Sequence, residues 1–287
     1  MSDHECRWMF HSTAIVPDYD VTCGALANLA GLRVLEYSES EVPEVGRRGG
    51  MTWVGDNSIE IGQPIIAGAG AAKFVDRTGG GLHSVAVQVR DLPATMDHLQ
   101  SIGIPIAARP DDGFCFSDPR ATGGVFFEWS SLEVHEDPRF GAALPPYTTE
   151  PLLAVTHQAW VGAVVDDPIP LAGLLAQALG STVTVENPGA APDEPSAAIP
   201  VGRDCMLALY AMPGEASRTL WGRSYTRGRT HLLALKVDDL EAARQALAGA
   251  GVTLVRQNEH ELVVDPAVTG EAAIALVDQL LPGDPRR

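Results

Sequence analysis

The stretch GLHSVAVQVRDLPATMDHLQSIGIPI (81–106) recurs later in the chain as RTHLLALKVDDLEAARQALAGAGVTL (229–254). Three residues recur at one constant spacing: His83 and His231, Asp91 and Asp239, Gly103 and Gly251. In both copies an apolar, strand-like run ends at an aspartate, and an amphipathic segment that ends at glycine follows. This pattern predicts a strand followed by a capped helix, and the recurrence indicates that one structural unit has been copied.

The segments that precede the two copies also resemble each other. HSTAIVPDYDVTCGALANLAGLRVLE (11–36) is similar to WVGAVVDDPIPLAGLLAQALGSTVTVE (160–186). Each of the four units predicts a strand, a helix and then two or three short strands. We therefore predict an α+β fold, in which four βαβββ modules form two half-barrel domains.

A proline-rich stretch without clear periodicity, 136–151, separates the second module from the third. We interpret it as a linker between two double modules. The predicted domains are then 1–135, which would carry a metal site, and 152–287, in which that site has been lost.

Charge and composition exclude several classes of function. Lys+Arg number 20 against 37 Asp+Glu, a net charge of −17, which opposes binding to nucleic acid or to an anionic membrane. No run approaches the ~20 apolar residues of a membrane span, and the opening MSDHEC has no secretory pattern. The 4 cysteines form no CxxC pair. We expect a soluble, cytoplasmic monomer or homodimer that binds a small molecule.

Two histidines and two glutamates occupy corresponding places in the first two modules. His11 and His83 each open a first strand, while Glu60 and Glu128 lie on the last strand of the same two modules. If the modules curl into one sheet, the four side chains point to the same concave face. Two imidazoles and two carboxylates suit one divalent ion such as Zn, Ni, Co, Mn or Fe. The alternative is that the histidines cap strands and the glutamates lie at the surface.

The second half lacks this combination. His11 aligns with Trp160, Glu128 with Ala275, and Glu60 with Leu207 or Leu209, depending on where the loop gap is placed. Only His231 remains, and one imidazole does not hold such a metal.

Three runs in the first half resemble the vicinal oxygen chelate superfamily, which includes glyoxalases, bleomycin-resistance proteins and dioxygenases. They are VGDNSIEIGQPI (54–65), AKFVDRTGGGLHSVAVQVRDL (72–92) and FSDPRATGGVFFEW (116–129). The likeness is greatest to methylmalonyl-CoA epimerases. It implies that His11, Glu60, His83 and Glu128 are the metal ligands. It also places Glu44 where that family keeps a catalytic glutamate, although a solvated loop acid is the other interpretation of Glu44.

These features favour a metal-dependent epimerase or isomerase. Such an enzyme abstracts a proton next to the carbonyl of a small carbonyl compound or acyl thioester, with Glu44 and Glu128 as the catalytic pair. Two alternatives stay open, an extradiol-type ring-cleaving dioxygenase and a ligand-sequestering binding or resistance protein. Arg47 and Arg48 are expected on an exposed hairpin, or as an anchor for an anionic substrate group.

Overall fold

The computed structural model describes residues 6–37, 46–134, 137–143, 150–212, 219–220, 223–224 and 229–287. The strands of its first half are β1 (Cys6–Ile15), β2 (Leu35–Tyr37), β3 (Arg47–Val54), β4 (Asn57–Pro64), β5 (Gly81–Val89), β6 (Ile106–Ala108), β7 (Phe114–Ser117) and β8 (Phe126–Ser130). Its helices are α1 (Tyr19–Ala30), α2 (Gly70–Thr78) and α3 (Leu92–Ser101), followed by a 3-10 turn at Pro138–Phe140.

The second half repeats this series of elements. Its strands are β9 (Val155–Val165), β10 (Val185–Glu186), β11 (Ala197–Val201), β12 (Cys205–Ala211), β13 (Thr219–Leu220), β14 (Arg223–Ser224), β15 (Arg229–Val237), β16 (Leu254–Gln257), β17 (Glu261–Val264) and β18 (Ile274–Val277). Its helices are α4 (Pro168–Leu179) and α5 (Leu240–Gly249). Across the described ranges, no helix has the length and apolar character needed to cross a membrane.

Two eight-stranded mixed sheets share one topology. The strand orders are β2-β3-β4-β1-β5-β8-β7-β6 and β10-β11-β12-β9-β15-β18-β17-β16. In the first sheet the central strands β1 and β5 are antiparallel, and each runs parallel to the last strand of its own module, β4 or β8. The predicted α+β fold of βαβββ modules in two half-barrels is confirmed, and α2 is an additional helix between the first two modules.

Aspartate caps explain why strands give way to helices at these places. The carboxylate of Asp18 accepts a hydrogen bond from the Val21 N–H at 3.1 Å, and Asp91 and Asp239 cap α3 and α5 in the same way. Such caps satisfy N–H groups that the first helical turn leaves unpaired. Helix α1 ends at Gly31, whose φ of 66° is the left-handed conformation that glycine adopts without strain.

Strand β8 shows how the sheet separates the core from the concave face. Phe127 and Trp129 are fully buried in a cluster of apolar side chains that extends through both halves of the chain. Phe126 and Glu128 alternate with them and line a cavity on the opposite face. Glu128 therefore lies on the concave face, as the sequence pattern predicted.

A repeated Asp-Pro-Arg sequence ends both halves, with Arg139 and Arg286 as its arginines. Arg139 donates a hydrogen bond to the Phe10 carbonyl at 2.9 Å, and Arg286 donates one to the Ala159 carbonyl at 3.1 Å. Phe10 and Ala159 lie at register shifts in β1 and β9, where the ladder of backbone hydrogen bonds is interrupted. Part of the predicted linker is thus fixed to the first sheet, while the predicted domain boundaries stay a prediction.

We predict that Arg139→Ala lowers the free energy of unfolding by about 2 kcal/mol. The buried carboxylates of Asp137 and Asp204 accept hydrogen bonds from this guanidinium at 2.6 and 2.9 Å, and the variant leaves both without it. Denaturant unfolding measures the change. Arg120→Ala is the control, because that side chain is 90% exposed, and equal effects of the two variants would contradict the prediction.

Candidate functional site

The concave face of the first sheet encloses a cavity of about 520 Å³. Its polar lining consists of His11, Tyr37, Arg47, Glu60, His83, Ser84, Asp111 and Glu128. Its apolar lining includes Phe10, Ile15, Met51, Phe114, Phe116, Phe126 and Leu132. A few polar groups in a largely aromatic wall are typical of a site for a small molecule.

The four residues that the sequence singled out all line this cavity. They lie on β4, β1, β5 and β8, which are neighbours in the sheet. His11, Glu60 and Glu128 are 4, 6 and 8% exposed, so the two carboxylates are not surface groups. Buried carboxylates need a compensating partner, and the identity of that partner decides what the site can do.

His11 lies between the two glutamates. Its Nδ1 is 3.8 Å from a carboxylate oxygen of Glu60, and its Nε2 is 3.7 Å from one of Glu128. Burial by itself lowers the pKa of His11, but the charges of Glu60 and Glu128 outweigh burial, so the pKa lies above its ordinary value. The two carboxylates therefore favour the protonated form of the ring.

The raised pKa of His11 predicts a pH dependence of stability. Its stabilising contribution is fully present below the ordinary pKa of 6.5 and is lost as pH rises through the higher pKa of the folded state. We expect the difference in unfolding free energy between the native chain and His11→Gln to shrink as pH rises above 6.5. Denaturant unfolding at a series of pH values measures it, and a difference that grows with pH would contradict this assignment.

Glu60 is held by an arginine and a tyrosine. Tyr37 Oη and Arg47 Nη2 each donate a hydrogen bond at 2.5 Å to one carboxylate oxygen, and Thr13 Oγ1 donates to the other at 3.0 Å. Burial raises the pKa of this carboxyl, but Arg47, followed by His11, outweighs burial and holds the pKa at about 2. Glu60 is therefore a permanent anion and a weak base.

Two glycines make room for the side chains that reach Glu60. A Cβ on Gly62 would lie 2.7 Å from Arg47 Cδ, and a Cβ on Gly49 would collide with the Tyr37 hydroxyl. Of the two interpretations of Arg47, the exposed hairpin is wrong, because Arg47 lies across Gly62 and lines the cavity; a role as an anchor for an anionic substrate group stays a prediction. The sequence signal for this position of Arg47 is the set of glycines in RRGGMTWVGDNSIEIGQP (47–64). It can be interpreted only when the pairing of β3 with β4 is known.

The side chains as arranged do not fit one divalent metal ion. Both oxygens of Glu60 already accept hydrogen bonds, and a guanidinium occupies the place where a cation would compensate that carboxylate. Among the described residues, no group of three or more His, Cys, Asp or Glu side chains could hold a metal ion. The four predicted ligands share a cavity but do not form a ligand set in this structure.

The strand register explains the misfit at His83. Thr13 pairs with Ser84, and His11 pairs with Ala86, so the repeat makes Ser84 the counterpart of His11. His83 lies at a register shift, between the pairs that flank it. The counterpart of the first imidazole is therefore a serine hydroxyl, and the sequence alignment chose the residue next to it.

Aromatic rings surround the imidazole of His83. Its ring centroid lies 4.8 Å from that of Phe74 and 5.0 Å from that of Phe126, both in edge-to-face geometry. Its Nδ1 is 3.2 Å from the Ser84 hydroxyl oxygen. Glu44, the other predicted catalytic residue, lies outside the described residues.

The second half carries apolar residues where the first half carries the site. Trp160 pairs with Ala234 as His11 pairs with Ala86, and Ala275 is the counterpart of Glu128. Register places Ala208 opposite Gly162, and therefore makes it the counterpart of Glu60. The predicted counterparts Leu207 and Leu209 were each wrong by one residue. Trp160, Ala208 and Ala275 belong to a second buried apolar cluster.

Residues 10–116 match the family model of the Glyoxalase/Bleomycin resistance protein/Dioxygenase superfamily. The chain thus carries a domain of this superfamily, and the resemblance seen in the sequence is confirmed. The match begins within β1 and ends within β7, and so includes His11, Arg47 and Glu60. No curated protein matches the sequence.

Solved structures share the fold at low sequence identity. A mutant of 4-hydroxymandelate synthase from Streptomyces coelicolor has a TM-score of 0.70 and 14% identity, over 97% of this chain and 95% of that one. A xylose isomerase-like TIM barrel/4-hydroxyphenylpyruvate dioxygenase fusion protein has a TM-score of 0.60 and 13% identity, over 95% of this chain and 49% of that one. Methylmalonyl-CoA epimerase from Mycobacterium tuberculosis has a TM-score of 0.41 and 24% identity, over 45% of this chain and 91% of that one. The first two likenesses show that the two-sheet architecture is shared.

Proposed function

We propose that the cavity of the first sheet is the active site of an isomerase or epimerase. The enzyme would take a proton from the carbon next to a carbonyl of a small carbonyl compound or acyl thioester and return a proton to it. The observation that carries this proposal is the position of His11 between two buried carboxylates in a cavity with aromatic walls. The match of residues 10–116 to a superfamily that includes glyoxalases and dioxygenases supports an enzyme.

Glu128 is the base in this proposal. Among the described residues, its ion-pair partner is His11, whereas Glu60 is also bound by Arg47. A carboxylate with a pKa of about 2, such as Glu60, has little tendency to take a proton. Glu128 lies on β8 beside Phe126, in a largely apolar wall where water competes less for the proton.

His11 and Arg47 supply the positive charge for the intermediate. Removal of an α-proton places negative charge on the carbonyl oxygen, and fixed N–H donors stabilise that enolate as it forms. The imidazole of His11 and the guanidinium of Arg47 both line the cavity, and in this proposal their N–H groups are the donors to that oxygen. Tyr37 stays protonated, because burial and then the charge of Glu60 raise its pKa well above its ordinary value, so it holds Glu60 as a donor.

The walls favour a planar, apolar substrate body. Phe116 and Phe126 stack with centroids 4.9 Å apart, and Phe114 meets Phe116 edge to face at 5.6 Å. Such a wall excludes water from the enolate and strengthens every electrostatic contact within the cavity.

A panel of carbonyl compounds incubated with the protein in deuterated water tests this function. Proton NMR follows the loss of the α-proton signal in 2-oxo acids, 2-methyl acyl thioesters and 2-hydroxy ketones. We expect enzyme-dependent exchange in one of these classes and inversion at a stereogenic α-carbon. Saturable binding without exchange in any class would contradict an isomerase and favour the ligand-sequestering alternative, and oxygen consumption with a catechol would favour the dioxygenase.

A further inference from the structure

We propose that the guanidinium of Arg47 takes the place of a divalent metal ion in this cavity, so that the site works without a metal. The inference rests on the proposed function for its substrate, but its metal test does not. It concerns three features of the first half: the charge on Glu60, the space over Gly62 and the residue at position 84.

The cavity already holds a permanent cation at the carboxylate that a metal ion would need. Arg47 donates a hydrogen bond to Glu60, whose other oxygen accepts one from Thr13. Arg47 Nη2 lies 2.5 Å from Glu60, with only 16% of its side chain exposed. A divalent ion bound to the same carboxylate would stand next to this guanidinium in a medium of low dielectric constant, where like charges repel strongly.

The backbone is built to admit the arginine. Gly62 leaves open the space that Arg47 crosses, and a methyl group there would meet its side chain at 2.7 Å. The counterpart of Gly62 in the second sheet is Tyr210. Gly62 pairs with Ile15 of β1, and Tyr210 pairs with Val164, the corresponding residue of β9. The second sheet thus fills the same space with a buried aromatic ring.

Arg47 lines the cavity and has one N–H group that lacks a partner. Its Nε is buried and has no hydrogen-bond acceptor among the residues that the structure describes. A buried N–H without an acceptor costs free energy, and a carbonyl or enolate oxygen in the cavity would satisfy it. This is the electrophilic role that a metal ion would otherwise supply.

Ser84 removes the second imidazole from the position that corresponds to His11. A serine hydroxyl is a poor ligand for the borderline divalent metals that imidazole binds well. The loss of one imidazole and the gain of one guanidinium both weaken the binding of a metal ion. Reversal of both changes should therefore create a metal site.

The test compares the full-length native protein with the double variant Arg47→Gln/Ser84→His, both purified without added metal. Metal analysis and thermal melts with excess Zn²⁺, Ni²⁺, Co²⁺ or Mn²⁺ are the readouts. We expect the native protein to hold fewer than about 0.1 ions per chain and to melt at the same temperature with and without metal. The double variant should bind about one ion per chain and melt several degrees higher when metal is present.

About one ion per native chain, lost in His11→Ala, would overturn the proposal. So would a folded double variant that binds no metal, because Arg47 and Ser84 would then not be what excludes the ion. If the double variant does not fold, Arg47→Gln and Ser84→His alone take its place. Arg47→Gln should bind metal more tightly than the native protein does, whereas Ser84→His should not, because Arg47 still compensates Glu60; no gain of binding in a folded Arg47→Gln variant would overturn the proposal. Exchange of an α-proton that persists in EDTA is a separate readout, so a metal-free protein without exchange would contradict the proposed function alone.

Discussion

Glu128→Gln is expected to lower the rate of α-proton exchange by about 10³-fold. The amide keeps the size of the side chain and its place on β8 but cannot accept a proton at neutral pH. His11 loses one of the two carboxylates that raise its pKa, so the pKa of His11 in this variant should also fall. The rate is measured by NMR in deuterated water with whichever compound the panel identifies.

Glu133→Gln is the matched control for this variant. Glu133 follows β8 on an exposed segment and does not line the cavity. Its exchange rate should equal that of the native protein. An unchanged rate in a folded Glu128→Gln variant would show that another group takes the proton, and Glu44 would be the next residue to replace.

Arg47→Met is expected to lower the free energy of unfolding by about 3 kcal/mol, because it leaves Glu60 as a buried anion without its guanidinium. The depressed pKa of Glu60 gives stability that is present above the ordinary pKa of 4.5 and is lost only as pH falls through about 2. In the variant this contribution is smaller, because burial raises the pKa of Glu60 and the charge of Arg47 no longer lowers it. Denaturant unfolding at neutral pH measures the change.

A second substitution tests the cause. Arg47→Met/Glu60→Gln removes both charges, so the double variant should be more stable than Arg47→Met alone. Arg48→Met is the control, because Arg48 pairs with the exposed Glu36 and should matter little. A double variant no more stable than the single one would mean that packing over Gly62, rather than charge, accounts for the loss.

The fold could be predicted from the repeat in the sequence. Alignment of one strand–helix unit with another gives the order of the elements, and this order does not depend on the loops. Alternation along the strand likewise predicted that Glu128 faces the concave side of the sheet, where it lines the cavity. Both inferences depend only on local periodicity, which an aligned repeat makes visible.

Residues whose position depends on strand register were not predictable in the same way. A register shift at His83 moves Ser84 into the place that corresponds to His11, and an alignment of letters does not reveal a bulge. The loop before β11 differs in length from its counterpart, so the position of the alignment gap was uncertain and Ala208 was not recognised as the counterpart of Glu60. The contact of Arg47 with Glu60 was not predicted, because it requires the pairing of β3 with β4 and the absence of a side chain at Gly62.

The most direct test of the active-site assignment is a crystal structure of the native protein with the compound that shows exchange. The account predicts this compound in the cavity of the first sheet, with its carbonyl oxygen accepting hydrogen bonds from His11 or Arg47. Its α-carbon should lie within about 3.5 Å of a Glu128 oxygen. Density for the compound in the second half, or a metal ion on Glu60 with Arg47 turned away from it, would contradict the account.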